Sequence, residues 1–225
     1  MRKYIALMGE MSPPVDAKEK DTLQEKLLQE FKIMNVSMEN DLASIFILTA
    51  KNMFLALWNG AERLMEAIEK IRFTVKPYQV SFGIGIGDIT TGIDKTHNLR
   101  SDGPAWWEAK SALDFAKKSK RKTYGVTDAV ISGFSDCDLS SLVGDSMVLM
   151  HAVRQRWTQG QEELVEEIVK YRGFSTDLVQ KDLAINLGMD QPSLNKKMKS
   201  TLICDYFRTA NTIQSLIDKE LKDNK

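Results

Sequence analysis

An α+β fold follows from two patterns in the chain. Up to about residue 128, short apolar runs alternate with segments of helical periodicity; beyond residue 145 only helical periodicity remains. A turn-rich stretch separates the two. It contains Ser132-Gly133-Phe134-Ser135-Asp136 and Ser140-Ser141, and residues 129–145 read as a linker. The expected organisation is a mixed domain over residues 1–128 and an all-helical domain over residues 146–225.

The first element is the apolar run Tyr4 to Met8, stopped by Gly9. It is long enough for a buried strand and too short for a helix. Pro13-Pro14 breaks the chain after it. Leu23, Leu27, Leu28 and Phe31 then recur at helical spacing, which predicts a helix near 17–32. Leu42 to Leu48 and Met53 to Trp58 flank Thr49-Ala50-Lys51-Asn52 and predict a hairpin. Ala61, Leu64, Met65, Ile68 and Ile71 mark a helix over about 60–72. Val80 to Ile89 is a strand punctuated by glycines. A helix over about 104–118 opens at Pro104, a residue suited to the first turn. Thr123 to Val126 is expected to form a short last strand. The first six elements are strand, helix, strand, strand, helix, strand. That is the split β-α-β order of ferredoxin-like domains, with two helices on one face of an antiparallel sheet.

In the helical half, the segment Gln180 to Met198 carries the most specific local pattern. A helix-turn-helix needs a small residue where its helices cross, and Ala184 supplies it. It needs a residue tolerant of positive φ in the turn, and Gly188 supplies that. Its second helix needs an apolar anchor, and Leu194 is placed for it, with Pro192 in the first turn. A helix-turn-helix is therefore expected near 176–199. Its second helix would offer Gln191, Ser193 and Asn195 to base edges, and Lys196, Lys197 and Lys199 to phosphates. The alternative is a helical hairpin that docks a protein or only packs. Glu162, Glu163, Glu166 and Glu167 on the preceding helix would repel phosphate if they faced it; they are expected on its solvated face. In the final helix, Ile203, Tyr206, Ala210, Ile213 and Ile217 alternate three and four apart. Such a seam could join two copies into a homodimer or pack within the chain.

The alternate glycines of Ser81-Phe82-Gly83-Ile84-Gly85-Ile86-Gly87-Asp88 bare one strand face for a close approach, by a packed helix or by a ligand. The spacing is not a dinucleotide fingerprint. Asp102-Gly103-Pro104 opens the next helix and reads as its cap or as an anion-holding terminus. Together these blocks resemble the SatD family of bacterial proteins. The residues that carry the likeness are Ala6-Leu7-Met8-Gly9-Glu10, the glycine strand with Asp88, Asp102-Gly103-Pro104-Ala105, Trp157-Thr158 and the helix-turn-helix. The resemblance spans nearly the whole chain. It implies an N-terminal domain like the palm of nucleotide cyclases, joined to a DNA-binding helical domain.

The chain departs from that pattern where a palm cyclase needs its metals. Two carboxylates must hold two divalent cations on a triphosphate. The family's Gly-Asp after the first strand is Gly9-Glu10 here, and Lys51-Asn52 stands in the hairpin that should bring the second carboxylate. Asn52 is a weak neutral ligand and Lys51 adds positive charge. The palm is therefore expected to be catalytically inactive, with no cofactor. Glu10, Lys51, Asn52, Asp88 and Asp102 remain as the remnant of a nucleotide or metal site, and Lys51 could meet a nucleotide phosphate. An active nucleotidyl cyclase or transferase using Glu10 and Asp88 is the enzyme alternative, and a non-catalytic protein-interaction module the third.

The other candidates are weaker. Lys117 to Lys122 is a basic run that suits a helix end. His97 and His151 are isolated, and Cys137 and Cys204 stand far apart, so no metal set or disulfide framework is suggested. With 31 basic and 31 acidic residues the net charge is zero, which excludes a uniformly cationic coat but not a basic patch. No apolar run reaches the roughly 20 residues of a membrane-spanning helix. The sequence thus predicts a cytoplasmic regulator that binds double-stranded DNA, with a cyclase-like sensory or assembly domain.

Overall fold

The computed structural model describes residues 2–12, 17–49, 52–96, 100–120, 122–175 and 180–223. Thirteen elements run in the order β1 (Lys3–Met11), α1 (Ala17–Ser37), β2 (Leu42–Leu48), β3 (Met53–Trp58), α2 (Leu64–Thr74), β4 (Val80–Asp88), α3 (Pro104–Ser119), β5 (Ala129–Ser132), α4 (Cys137–Arg154), α5 (Gln159–Arg172), α6 (Gln180–Asn186), α7 (Gln191–Thr201) and α8 (Ile203–Lys222). The class is α+β.

The sheet order is β2-β3-β1-β4-β5. β1 lies antiparallel between β3 and β4, with Ala6 opposite Leu57 on one side and Gly85 on the other. β2 pairs antiparallel with β3. The first four strands therefore interlock as two β-α-β units, each holding a strand of the other. β5 extends the sheet by pairing parallel with β4.

The period-two alternation of β1 and β3 divides the side chains between two faces. Ile5, Leu7, Phe54 and Trp58 point to the face covered by α1 and α2. Phe31, Phe46, Phe54, Trp58 and Phe82 form a chain of ring contacts there. Ala6 and Leu57 point to the other face, against Ala105, Trp106 and Ala109 of α3. The glycines of β4 explain how close α3 comes. A Cβ on Gly85 would lie 2.1 Å from the carbonyl oxygen of Ala105 and 2.2 Å from the nitrogen of Ala109; one on Gly83 would lie 2.0 Å from the Ala109 oxygen. The approach that the bare strand predicts is that of a packed helix.

Two local expectations fail. Thr123 to Val126 forms a bend, turned by Gly125 at φ 65°, and the last strand falls instead at Ala129–Ser132. The stretch read as a linker, 129–145, holds that strand and the first half of α4. One of its turn-forming residues, Asp136, caps that helix, accepting from the amides of Asp138 at 2.8 Å and Leu139 at 3.1 Å, while Ser140 and Ser141 lie inside it.

The C-terminal helices share the core of the sheet's α1/α2 face. Polar ties accompany the apolar ones. Gln214 accepts from the amide of Met65 at 2.9 Å and Asp218 from that of Ala61 at 2.7 Å, so α8 satisfies amides at the start of α2. Arg72 of α2 grips Asp128, just before β5, with Nη2 at 2.6 Å and Nε at 2.9 Å. Arg72 also donates to Glu69, which accepts from the hydroxyl of Tyr206 in α8. Burial would raise the Asp128 pKa, but the Arg72 charge, with His151 and Arg154, holds it well below the usual carboxylate range. Burial, followed by the nearby Glu69, pushes the Tyr206 phenol well above its ordinary value.

The seam on α8 is consumed by this packing. Ile203, Tyr206, Ala210, Ile213 and Ile217 are all buried within the chain, so the seam packs intramolecularly, one of the two uses expected of it. No helix of the described residues is long and apolar enough to cross a membrane.

Candidate nucleic-acid interface

The helix-turn-helix segment is built from α6, a tight turn and α7. Residues 176–179, the start of the predicted unit, lie outside the described residues, as does Lys51. The turn closes through the amide of Met189 donating to the Ala184 carbonyl at 2.9 Å, and Gly188 has φ 60°. That left-handed geometry is what a glycine supplies without strain. Leu183, Ala184, Leu194 and Met198 are buried and fix the two helices to each other and to α8.

α7 is set at both ends. Asp190 caps its start, its carboxylate accepting from the amide of Ser193 at 2.9 Å. Those hydrogen bonds lower the Asp190 pKa and occupy the one acid at the head of the helix. At its end, Leu202 adopts a left-handed φ of 55° and breaks α7 from α8. The indole of Trp157 donates to the Thr201 carbonyl at 2.9 Å, and its ring packs edge-on against Tyr206. Trp157 therefore anchors the C-terminus of α7.

With Leu194 and Met198 inward, the opposite side of α7 is solvent-facing. Gln191, Ser193, Lys196 and Lys199 are exposed; Asn195 and Lys197 are half-buried. Lys197 leans on α5, where a Cβ on Gly160 would meet its Nζ at 3.6 Å. Gln161 of α5 donates to the Ser200 hydroxyl at 2.9 Å. Among the described residues, none of the three lysines makes an ion pair. The acids of α5 are engaged elsewhere. Glu162 binds Lys76 at 3.0 Å, Glu166 and Glu167 bind Lys170 at 3.0 and 3.3 Å, and Glu163 accepts from Gln159 at 3.0 Å. Three lysine charges thus stand on α7 without a compensating carboxylate.

The residues singled out as a nucleotide or metal remnant do not converge. In the β1/β4 pair Glu10 stands opposite Ser81, and Asp88 opposite Lys3. Glu10 and Asp88 are thus separated by seven residues of strand (from Lys3 to Glu10), about 23 Å at a rise of ~3.3 Å per residue. A two-metal centre spans ~4 Å, so these two carboxylates cannot share one. Asn52 lies at the Glu10 end but on the other face: it accepts from Gln24 of α1 at 3.1 Å, whereas Glu10 pairs with Lys117 of α3 at 2.7 Å. Asp102 lies at the Asp88 end and is occupied by the amide of Gly103 and the indole of Trp107, both at 2.8 Å. Among the described residues, no group of three or more His, Cys, Asp or Glu side chains is placed to hold a metal ion.

One feature has no local sequence signal. A cavity of about 830 Å³ opens between the C-terminal end of α2, the turn after α3, and α4. Arg72, Lys76, Lys120, Asp128, His151 and Arg154 are among its lining residues. They come from distant parts of the chain, and only folding brings them together.

The sequence model of the SatD family matches residues 4–217, nearly the whole chain. No curated protein matches it.

Proposed function

The chain belongs to the SatD family, and from that premise we propose that it is a DNA-binding regulatory protein whose α7 enters the major groove of double-stranded DNA. The observation that carries this reading is the outward face of α7: Lys196 and Lys199 stand exposed and unpaired beside Gln191 and Ser193, on a helix held by a glycine turn and a tryptophan anchor. Lysines of this kind neutralise phosphates and fix the register of a helix on the duplex. Gln191 and Ser193, in the first turn, occupy the part of a recognition helix that meets base edges, and Asn195 follows at its margin.

The sheet half serves in this reading as a non-catalytic sensory or assembly module. The separation of Glu10 from Asp88 supports a role without metal-dependent nucleotidyl transfer.

Selection of genomic DNA fragments on the purified chain, followed by footprinting, tests the proposal. Enrichment of a common site that requires Lys196 and Lys199 is expected. Equal recovery of all fragments with the native protein and with K196A/K199A would count against it, and would favour a helical hairpin that docks protein.

A further inference from the structure

The cavity beside α2 and α4 shares no lining residue with α7 and is an open, strongly charged cleft. Its volume, about 830 Å³, lies within the ~300–1,000 Å³ of small-molecule sites. Four cationic side chains line it, Arg72, Lys76, Lys120 and Arg154, against two carboxylates, Asp128 and Glu162. Pairing these groups shows what is left over. Arg72 is committed to Asp128 and Glu69, and Lys76 to Glu162.

Arg154 and Lys120 remain. The Arg154 side chain is only 12% exposed and meets Glu69 through Nε alone, at a stretched 3.4 Å. That buried Nε makes no hydrogen bond. Leaving a guanidinium N–H such as this one unpaired in a buried place is costly, and the fork has further donors to offer a ligand. Lys120 approaches one backbone oxygen, that of Val80, at 3.4 Å. Burial lowers its pKa, so a bound anion would restore the charge that desolvation disfavours. His151 adds an imidazole whose Nδ1 lies 3.2 Å from Asp128. The remaining wall is less polar, with Pro77, Val148 and the ring of Tyr124.

We propose that this cavity is a binding site for a phosphate-bearing small organic molecule, its phosphate held by Arg154 and Lys120 and its body lying against Pro77, Val148 and Tyr124. A planar guanidinium fork and a mobile ammonium suit phosphate oxygens. The cavity is far larger than a bare phosphate ion needs, which is why the ligand carries an organic body. The site does not depend on whether α7 binds DNA.

Calorimetric titration of the full chain, without DNA, tests this. The probes are inorganic phosphate, adenosine 5′-monophosphate and adenosine. The monophosphate is expected to bind more tightly than inorganic phosphate, and adenosine not to bind. Lys120→Met should weaken the monophosphate by about tenfold or more, the loss of one charge-assisted contact. K196A/K199A, at residues that do not line the cavity, should leave that affinity unchanged. Because Lys120 makes no ion pair among the described residues, the ligand-free variant should melt with the native protein. The proposal is overturned if neither phosphate compound binds, if adenosine binds as well as its monophosphate, or if Lys120→Met binds like the native chain.

Discussion

Arg72 and Asp128 face each other as a two-pronged pair inside the protein, with contacts of 2.6 and 2.9 Å, and side chains only 5% and 9% exposed. The pair joins the second helix to the edge strand β5. Through Glu69 and Tyr206 it also reaches the last helix. Removing one partner of a buried pair leaves the other charge uncompensated, which costs more than the intact pair contributes.

Asp128→Asn should therefore destabilise the protein by about 3 kcal/mol at neutral pH. The folded-state pKa of Asp128 is depressed, so its contribution is complete above the unfolded value of ~3.9 and is lost as pH falls through the folded pKa. Urea unfolding as a function of pH checks this. The gap between native and variant midpoints should be widest near pH 7 and shrink below about pH 4; a gap independent of pH would contradict it.

Gly85 and Gly144 give a contrasting pair. Alanine at Gly85 drives a methyl into the backbone of α3, 2.1 Å from the Ala105 oxygen, and neither strand nor helix can yield cheaply. Gly85→Ala should cost about 3 kcal/mol or more. Gly144 lies inside α4 with nothing within 4 Å of its would-be Cβ. Gly144→Ala should stabilise by about 0.5–1 kcal/mol through helix propensity. Thermal denaturation of both variants reads the two opposite signs.

Trp157→Phe keeps most of the ring packing but removes the indole donor to the Thr201 carbonyl. The expected loss is about 1 kcal/mol. Its more telling consequence is local: amide hydrogen exchange should quicken in the last turn of α7 before it does in the sheet. Uniform change across the chain would show that the indole does not specifically hold that helix end.

How much of this was readable in the residues differs from place to place. Alternate glycines at 83, 85 and 87 have few explanations, and a packed helix is the commonest; the structure shows that one. Ala184, Gly188 and Leu194 are fixed by local geometry, and the glycine turn with its buried anchor lies where their spacing places it. β5 was missed because four residues amid serines and aspartates carry little periodicity. The α8 seam was legible as a seam, but periodicity does not say which surface covers it; here α2, α4 and the sheet do. The convergence of Arg72, Asp128, His151 and Arg154 had no local signal at all, since it depends on how α2, β5 and α4 meet.

The central claim is that the exposed lysines of α7 meet the phosphates of a duplex. The most direct measurement is affinity for one duplex, by fluorescence anisotropy, across a salt series, for the native chain and for K196A/K199A. Each lost phosphate contact lowers the slope of log K against log salt by about 0.9. The double variant should therefore bind more weakly and show a slope shallower by about 1.8. The same slope in both proteins, or no duplex binding by the native chain, would contradict the account.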